Sequence, residues 1–293
     1  MENNSEKLNL NCGICDAKNA RFWFEKNSFN LYKCGKCGLI FTESIPDVSK
    51  IYSEDYFSGA KNGFGYVDYD KDKVPMVGAF NHFLNIIEKF SVKKGKLLDV
   101  GAASGFFLEL AKKREWDVSG VEISEFAASR ARERGLNVKT GIIEDFNADD
   151  SKHFSVITMW DVIEHVHNPV SAISKAGELL EDGGIIAINT PDSGSLVAKI
   201  LGKRWYKFIP PEHVIYFNQN NLCLLLSKIG FKVVYAGKIR KKFTLQYLFN
   251  MLARWQNIFI WQWVADLLAG TRLGSISLPV DLRDDFFVIA KKS

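Results

Sequence analysis

The chain has 293 residues, of which 47% are hydrophobic and 25% are charged. This composition is typical of a soluble globular protein with one large α/β domain and a small accessory module, and it excludes extensive disorder. The net charge of +4 is too small to predict a nucleic-acid-binding surface. The first residues lack the apolar core of a secretory signal peptide, and no apolar run reaches the roughly 18 residues of a membrane span, so we expect a cytoplasmic protein.

Four cysteines near the start of the chain form two pairs. Cys12 and Cys15 are followed, after 18 residues, by Cys34 and Cys37. Paired CxxC motifs at this spacing are typical of a zinc ion held by four thiolates, and such a closed site is structural rather than catalytic. We therefore predict a zinc-ribbon-like module over residues 1–42. The alternative is two pairs of reduced thiols.

A tyrosine-rich connector, residues 43–74, follows this module. Its glycines disfavour a long helix. It is either a lid over an active site or a linker packed on the domain surface, and Tyr66 within it is a candidate catalytic residue. An amphipathic helix from Pro75 to Phe90 then opens the main domain, residues 75–293, with insertions at 191–217 and 238–284.

The clearest ligand-binding pattern lies at residues 96–122. Lys96–Val100 is a buried strand, Gly101–Gly105 a tight turn, Phe106–Arg114 an amphipathic helix and Trp116–Glu122 a second strand. Such a unit places a small ligand at the carboxyl end of the first strand, where glycines let the backbone approach it closely. At the tip of the second strand, Glu122 is positioned to accept hydrogen bonds from two ribose hydroxyls.

The glycine spacing excludes a nicotinamide dinucleotide, because its G-x-G-x-x-G fingerprint is broken by Ala103 and Phe106. Asp99-x-Gly101-x-x-x-Gly105 instead resembles the first motif of class I methyltransferases. The resemblance implies S-adenosylmethionine as cofactor, with Asp99 and the turn, including Ala103, holding its methionine part.

Further strands and helices alternate to about residue 237, which predicts an α/β fold with a parallel sheet covered on both faces. Trp160-Asp-Val-Ile-Glu-His-Val-His-Asn-Pro169 and Leu180-x-x-Gly-Gly184 resemble UbiG-like class I methyltransferases, and the likeness covers about residues 75–235. With the cysteine pairs, it extends to small bacterial methyltransferases that carry an N-terminal zinc module. It implies a Rossmann-like seven-stranded sheet whose last strand, near 286–290, is antiparallel. It also implies that Gly141 to Glu144, including Ile143, frame the adenine, while Trp160 and Asp161 line the sulfonium end.

The acceptor site is expected in the insertion from Pro191 to Phe217, since loops at the carboxyl ends of strands build the site in open α/β sheets. Glu212 and His213 are the acid/base candidates, and some zinc-module sugar methyltransferases resemble this chain in carrying such a pair. Adjacent side chains seldom point the same way, so we expect one of the two to act. Alternatively, His213 only braces the insertion. A structural role is expected for His165, which follows Glu164 near the start of a helix, and Cys223 is expected to be a buried core thiol.

The region from Phe243 to Ala269 is a tryptophan-rich helical stretch preceded by the basic run Lys238–Lys242. It fits peripheral contact with an anionic membrane, a surface for self-association, or a substrate lid.

Together these features predict an S-adenosylmethionine-dependent methyltransferase acting on an oxygen or carbon of a small molecule, such as a sugar, quinone or secondary-metabolite intermediate. The alternative is an RNA methyltransferase that holds nucleic acid with its zinc module. It is disfavoured because Met159-Trp-Asp-Val162 lacks the Asn/Asp-Pro-Pro-aromatic motif of many base N-methylases. A non-enzymatic binding protein on a degenerate fold is the third reading, and the intact Asp99, Gly101 and Glu122 disfavour it.

Overall fold

The structure, a computed structural model, describes residues 10–43, 76–147, 153–238, 243–256, 258–278 and 282–293. The connector at 43–74, apart from its first residue, lies outside the described residues, and so does the candidate Tyr66.

A seven-stranded sheet forms the centre of the main domain, as predicted. Its strands are β4 (Lys96–Val100), β5 (Asp117–Glu122), β6 (Asn137–Thr140), β7 (Phe154–Trp160), β8 (Leu180–Pro191), β10 (Phe231–Gly237) and β13 (Asp285–Lys292). Their spatial order is β10-β13-β8-β7-β4-β5-β6, in which β13 runs antiparallel to both neighbours and the other pairs are parallel.

Helices cover both faces of this sheet, which explains why its central strands are apolar at almost every position. Alternate residues of a strand point to opposite faces, so Leu97 packs with one helical layer and Leu98 with the other. The flanking helices are α1 (Val77–Phe90), α2 (Phe106–Lys113), α3 (Glu125–Glu133), α4 (Pro169–Leu179) and α6 (Gln219–Lys228).

The start of β8 differs from the sequence prediction. The resemblance of Leu180 to Gly184 to UbiG-like methyltransferases implies a turn before this strand, but β8 already begins at Leu180, which pairs with Phe154 of β7. The register then shifts, because Val156 pairs with Ile185, so the intervening residues form an irregularity in which Gly183 adopts a positive φ of 73°. A glycine permits that conformation without steric cost.

The cysteine module contains β1 (Ala20–Lys26), β2 (Phe29–Cys34) and β3 (Ile40–Thr42). A fourth strand of the same antiparallel sheet, β9 (Ile215–Tyr216), comes from the insertion that follows β8. Their shared core contains Leu31 and Ile40 from the module and Trp205, Phe208 and Tyr216 from the insertion. The insertion, which also contains α5 (Leu196–Leu201), therefore completes the sheet of the module.

The aromatic stretch near the C-terminus forms two helices, α7 (Leu245–Gln256) and α8 (Phe259–Leu268), which pack on each other with the rings of Phe249 and Trp261 5.8 Å apart. Short strands β11 (Phe243–Thr244) and β12 (Ser277–Leu278) pair at the base of this helical hairpin. Within the described ranges, the helices are all too short or too polar to cross a bilayer.

Candidate functional site

The turn after β4 brings backbone close to the edge of the sheet. Gly101 and Gly105 have φ values of 72° and 84°. A Cβ at Gly101 would lie 2.5 Å from Cγ2 of Val162, and one at Gly105 would lie 2.3 Å from Cδ1 of Leu136. Both positions thus require glycine for conformation and for space. Ala103 between them also has a positive φ, 47°.

Glu122 is the last residue of β5, and its side chain hydrogen-bonds to this turn. Its side chain is buried; Oε2 accepts a hydrogen bond from the amide of Ala103 at 2.8 Å, and Oε1 accepts one from the amide of Ser124 at 2.9 Å. Burial raises the pKa of this carboxyl, while these amides oppose the rise. Each carboxylate oxygen can accept a second hydrogen bond, so the group can hold the turn and still receive hydroxyl donors.

Asp99 lies beneath the turn and is 1% exposed. Its Oδ1 accepts a hydrogen bond from Oγ1 of Thr158 on β7 at 2.6 Å. Burial raises the pKa of Asp99 to about 8. Its carboxyl therefore ties β4 to β7 from within the sheet.

The candidate adenine residues lie next to the same edge. Ile143 and Glu144 belong to a short 3-10 helix, in which Ile143 is buried and Glu144 is half-buried. The helix follows Gly141, whose amide donates to the carbonyl of Glu122 at 2.9 Å. This hydrogen bond places the segment beside the tip of β5.

Trp160 and Asp161 follow each other at the end of β7 but have different surroundings. The ring of Trp160 stacks on Phe287 at 5.6 Å, and its buried Nε1 has no hydrogen-bond partner among the described residues. Asp161 has a positive φ of 53°, and its Oδ1 accepts a hydrogen bond from Nδ2 of Asn189 at 2.7 Å. Only Asp161 of the two is thus held by a side-chain hydrogen bond at the carboxyl edge.

His213, the candidate base, is buried and packs edge-on against the ring of His165, with the centroids 4.7 Å apart. Its Nδ1 lies 3.1 Å from the carbonyl oxygen of Lys207. A carbonyl only accepts, so Nδ1 carries the proton and Nε2 has the lone pair in the neutral ring. Burial, followed by the charges of His165 and Lys207, lowers the pKa of His213 well below its ordinary value. The neutral form therefore predominates at physiological pH.

Glu212, the residue before His213, contacts His165 through its backbone. Its carbonyl oxygen accepts a hydrogen bond from Nδ1 of His165 at 2.6 Å. The two predicted residues thus contact the His165 ring from one stretch of the insertion.

Glu164 and His165, which were not predicted to be part of the acceptor site, form a cluster with His213. They occupy the turn between β7 and α4, which begins only at Pro169. Oε2 of Glu164 accepts a hydrogen bond from Oγ1 of Thr190 at 2.8 Å, and its buried Oε1 has no partner in the described part of the chain. Burial, together with the nearby charges of Asp161 and Asp285, raises the pKa of Glu164 to about 8.

Two residues of the insertion contact acids at the start of β13. Lys207 forms an ion pair with Asp285, the first residue of β13, and Tyr206 donates a hydrogen bond to Asp284. One ligand atom each from Glu164, His165 and His213 lies within 4.8 Å of the others, a spacing that suits a metal ion. The arrangement therefore combines a neutral imidazole with buried carboxyl groups, next to the edge where the turn and Glu122 lie.

The four predicted zinc ligands converge. One sulfur atom from each of Cys12, Cys15, Cys34 and Cys37 lies within 4.8 Å of the others, and the Cys12–Cys37 and Cys15–Cys34 sulfurs are 3.6 and 3.5 Å apart. Zinc–sulfur bonds of about 2.3 Å in a tetrahedron place sulfurs roughly 3.8 Å apart, close to these distances. The amides of Lys36 and Cys37 point to Sγ of Cys34 at 3.4 and 3.5 Å, which favours the thiolate. The donor set therefore fits zinc.

Comparison with known proteins agrees with this geometry. Residues 79–236 match a family model described as a methyltransferase domain. A ubiquinone biosynthesis O-methyltransferase of Saccharophagus degradans is 33% identical over an alignment of 156 positions, which covers 46% of this chain and 66% of that protein. The chain thus aligns with just under two thirds of this curated relative's length.

Two solved structures share the fold. A methyltransferase from Thermotoga maritima, described as a possible histamine N-methyltransferase, superposes with a TM-score of 0.51 at 20% identity, covering 77% of this chain and 94% of that one. Magnesium protoporphyrin IX methyltransferase from Synechocystis, solved with bound S-adenosylhomocysteine, gives a TM-score of 0.52 at 13% identity, covering 84% and 100%. At these identities the likeness concerns the fold alone.

Proposed function

This chain belongs to the methyltransferase domain family, and from that premise we propose that it transfers a methyl group from S-adenosylmethionine to an oxygen or carbon of a small molecule. The observation that carries the proposal is Glu122, held against the Gly101–Gly105 turn by its hydrogen bond to Ala103. A buried carboxylate with spare lone pairs beside a close backbone turn suits the ribose of a nucleoside cofactor.

The residues at the sheet edge would position the cofactor. The Gly101–Gly105 backbone and Asp99 beneath it would hold the methionine part, Glu122 the ribose, and Ile143 with Glu144 the adenine. Trp160, the last residue of β7, and Asp161 after it would line the sulfonium end of the cofactor. S-adenosylmethionine supplies a methyl group that is transferred from its sulfonium to a nucleophile.

His213 would accept the proton that the acceptor loses. Its Nδ1–H is directed to the Lys207 carbonyl, so Nε2 is the basic atom. Because burial keeps the ring neutral, this atom is available at physiological pH. An acceptor hydroxyl, or an acidic carbon beside a carbonyl, is the type of group that such a base activates. An oxygen acceptor is supported by the name of the Saccharophagus degradans relative. Glu212 and Tyr66 stay predictions as further catalytic residues.

Zinc at the four cysteines would be structural. Four thiolates fill a tetrahedral zinc, so no position is open to substrate or water. We expect the ion to stabilise the module, which has few apolar residues and shares its small core with the insertion.

Calorimetric titration with S-adenosylhomocysteine, followed by transfer assays with labelled S-adenosylmethionine and a panel of quinols and nucleotide-linked sugars, tests the proposal. His213→Gln should bind S-adenosylhomocysteine like the wild type but transfer methyl groups at least ~100-fold more slowly. His167→Gln is the matched control, since His167 is an exposed histidine nearby. If the wild type does not bind S-adenosylhomocysteine, the proposed cofactor is wrong. If His213→Gln transfers at the control's rate, His213 is not the base.

RNA is the second candidate acceptor, favoured by the surface of the cysteine module. A depression of about 600 Å³ there is lined by Arg21, Lys33 and Lys36 around Trp23. Cations and an aromatic ring suit a single-stranded nucleic acid. Salt-dependent RNA binding that is weakened by Arg21→Glu would support this acceptor, and its absence would remove it.

A further inference from the structure

Helix α8 has an apolar face that the described residues leave uncovered. Phe259, Trp263 and Leu267 are 82%, 55% and 63% exposed, and their spacing of four residues places them on one side of the helix. Ala265 and Leu268 are buried on another side. Large exposed side chains in a continuous stripe are unusual on a monomeric protein and indicate a contact surface.

The segment that carries this face is strongly basic. Positions 238–278 contain six lysines or arginines and one acid, Asp266. Their net charge of +5 exceeds the +4 of the whole chain, so the remaining residues together are slightly acidic. In sequence, the apolar stripe therefore belongs to a basic segment of a chain that is otherwise nearly neutral.

The hairpin leaves the main domain at the edge that carries the candidate site. It follows the end of β10 and precedes the start of β13, and both points lie at the carboxyl ends of the parallel strands. At its base, Nζ of Lys238 lies 2.9 Å from Oδ2 of Asp192 and donates to the carbonyl of Arg283 at 2.8 Å. These contacts anchor the hairpin beside the carboxyl end of β8.

We propose that the α7–α8 hairpin docks on the surface of a lipid bilayer that contains anionic lipids, with Phe259, Trp263 and Leu267 entering the headgroup region. An apolar stripe with tryptophan and phenylalanine within a basic segment matches the chemistry of an interfacial helix. Pairing with a second copy through the same face would bring two basic segments together, which like-charge repulsion opposes. The proposal does not depend on the proposed methyl transfer.

Flotation of the full chain with vesicles tests this docking. We expect binding to vesicles of phosphatidylcholine with phosphatidylglycerol, weaker binding at high salt, and little binding to pure phosphatidylcholine. The double variant Phe259→Ser/Trp263→Ser should reduce the vesicle-bound fraction at least ~10-fold, because both side chains are exposed and contribute through lipid burial. Leu196→Ser/Ile200→Ser is the matched control, since these residues are 71% and 73% exposed on α5.

The outcomes distinguish docking on a lipid surface from pairing with a second copy of the chain. Loss of binding in the α8 variant alone, with unchanged circular dichroism, supports the proposal. Equal binding to neutral vesicles, or equal loss in the α5 control, overturns it. So does a stable dimer, measured by light scattering without lipid, that the α8 variant converts to monomer.

Discussion

At the scale of single residues, Glu122 is expected to contribute most to cofactor affinity. Glu122→Gln keeps the size of the side chain but removes the charge, and its amide nitrogen cannot accept a hydrogen bond. Hydrogen bonds to a charged group contribute about 1.5–3 kcal/mol, so the Kd for S-adenosylhomocysteine should rise roughly 10- to 100-fold in calorimetry. Glu178→Gln, which alters an exposed acid on α4, should bind like the wild type. Unchanged affinity in Glu122→Gln would remove the ribose role.

Asp99 is expected to make stability depend on pH. Its folded-state pKa, raised to about 8 by burial, lies above its ordinary value, so between about pH 4 and pH 8 the folded protein holds a proton that the unfolded chain has released. The free energy of unfolding therefore falls as pH rises through this window, by at most about 1.4 kcal/mol per pH unit from this group. Asp99→Asn removes the titration.

Urea unfolding at pH 5.5 and pH 8 measures this effect. Across that interval the wild type should lose roughly 3 kcal/mol more stability than Asp99→Asn. Asp117→Asn, at the exposed start of β5, is the control and should follow the wild type. Identical pH dependence in all three proteins would show that Asp99 is ionised when folded.

The residues that could be predicted from sequence are those whose surroundings are local. The turn at 101–105 and Glu122 belong to one strand–turn–helix–strand unit, whose geometry follows from spacing. His165 and Glu164 were not predicted at the site. Their neighbour, His213, is about 50 positions away in the sequence, and no local pattern of residues predicts a contact over that distance.

At the scale of elements, zinc is expected to determine whether the cysteine module folds. Cys34→Ser should reduce the bound zinc from about one ion per chain to well below half, measured by mass spectrometry of the metal. Because metal binding is coupled to folding, we expect a loss of at least ~3 kcal/mol, which corresponds to a Tm lower by about 10 °C. Cys223→Ser should change neither quantity, since Cys223 lies on α6 outside the cluster. Full zinc content in Cys34→Ser would exclude the four-thiolate site.

Hydrophobic patterns predicted the long elements well. The largely apolar run of β7 is typical of a buried strand, and the apolar repeat of three to four residues in α1 is typical of an amphipathic helix. It did not predict β9, because two residues carry no periodicity. Strand β9 exists only through its partner, β3, which is about 170 positions earlier in the chain.

At the scale of the whole molecule, the cysteine module and the acceptor insertion form one unit. The amide of Thr42 donates to the carbonyl of Val214 at 2.9 Å, and Nδ2 of Asn27 donates to the carbonyl of Pro210 at 2.8 Å. Val214 directly follows His213. Through these two hydrogen bonds, the predicted structural zinc would therefore help to hold the candidate base in place without taking part in the chemistry.

Hydrogen exchange of the full chain before and after zinc chelation tests this coupling. Amides in residues 20–42 should lose protection, and those in 205–217 should lose it as well, because this segment pairs with β3 and packs into the core that it shares with the module. Residues 97–122 should keep most of their protection, since Leu97, Phe107 and Leu108 pack in a core that contains no described residue of the module. Methyl transfer should fall together with the protection of 205–217, and both should return when zinc is restored. If 205–217 stays protected while 20–42 exchanges freely, the insertion holds His213 in place by itself.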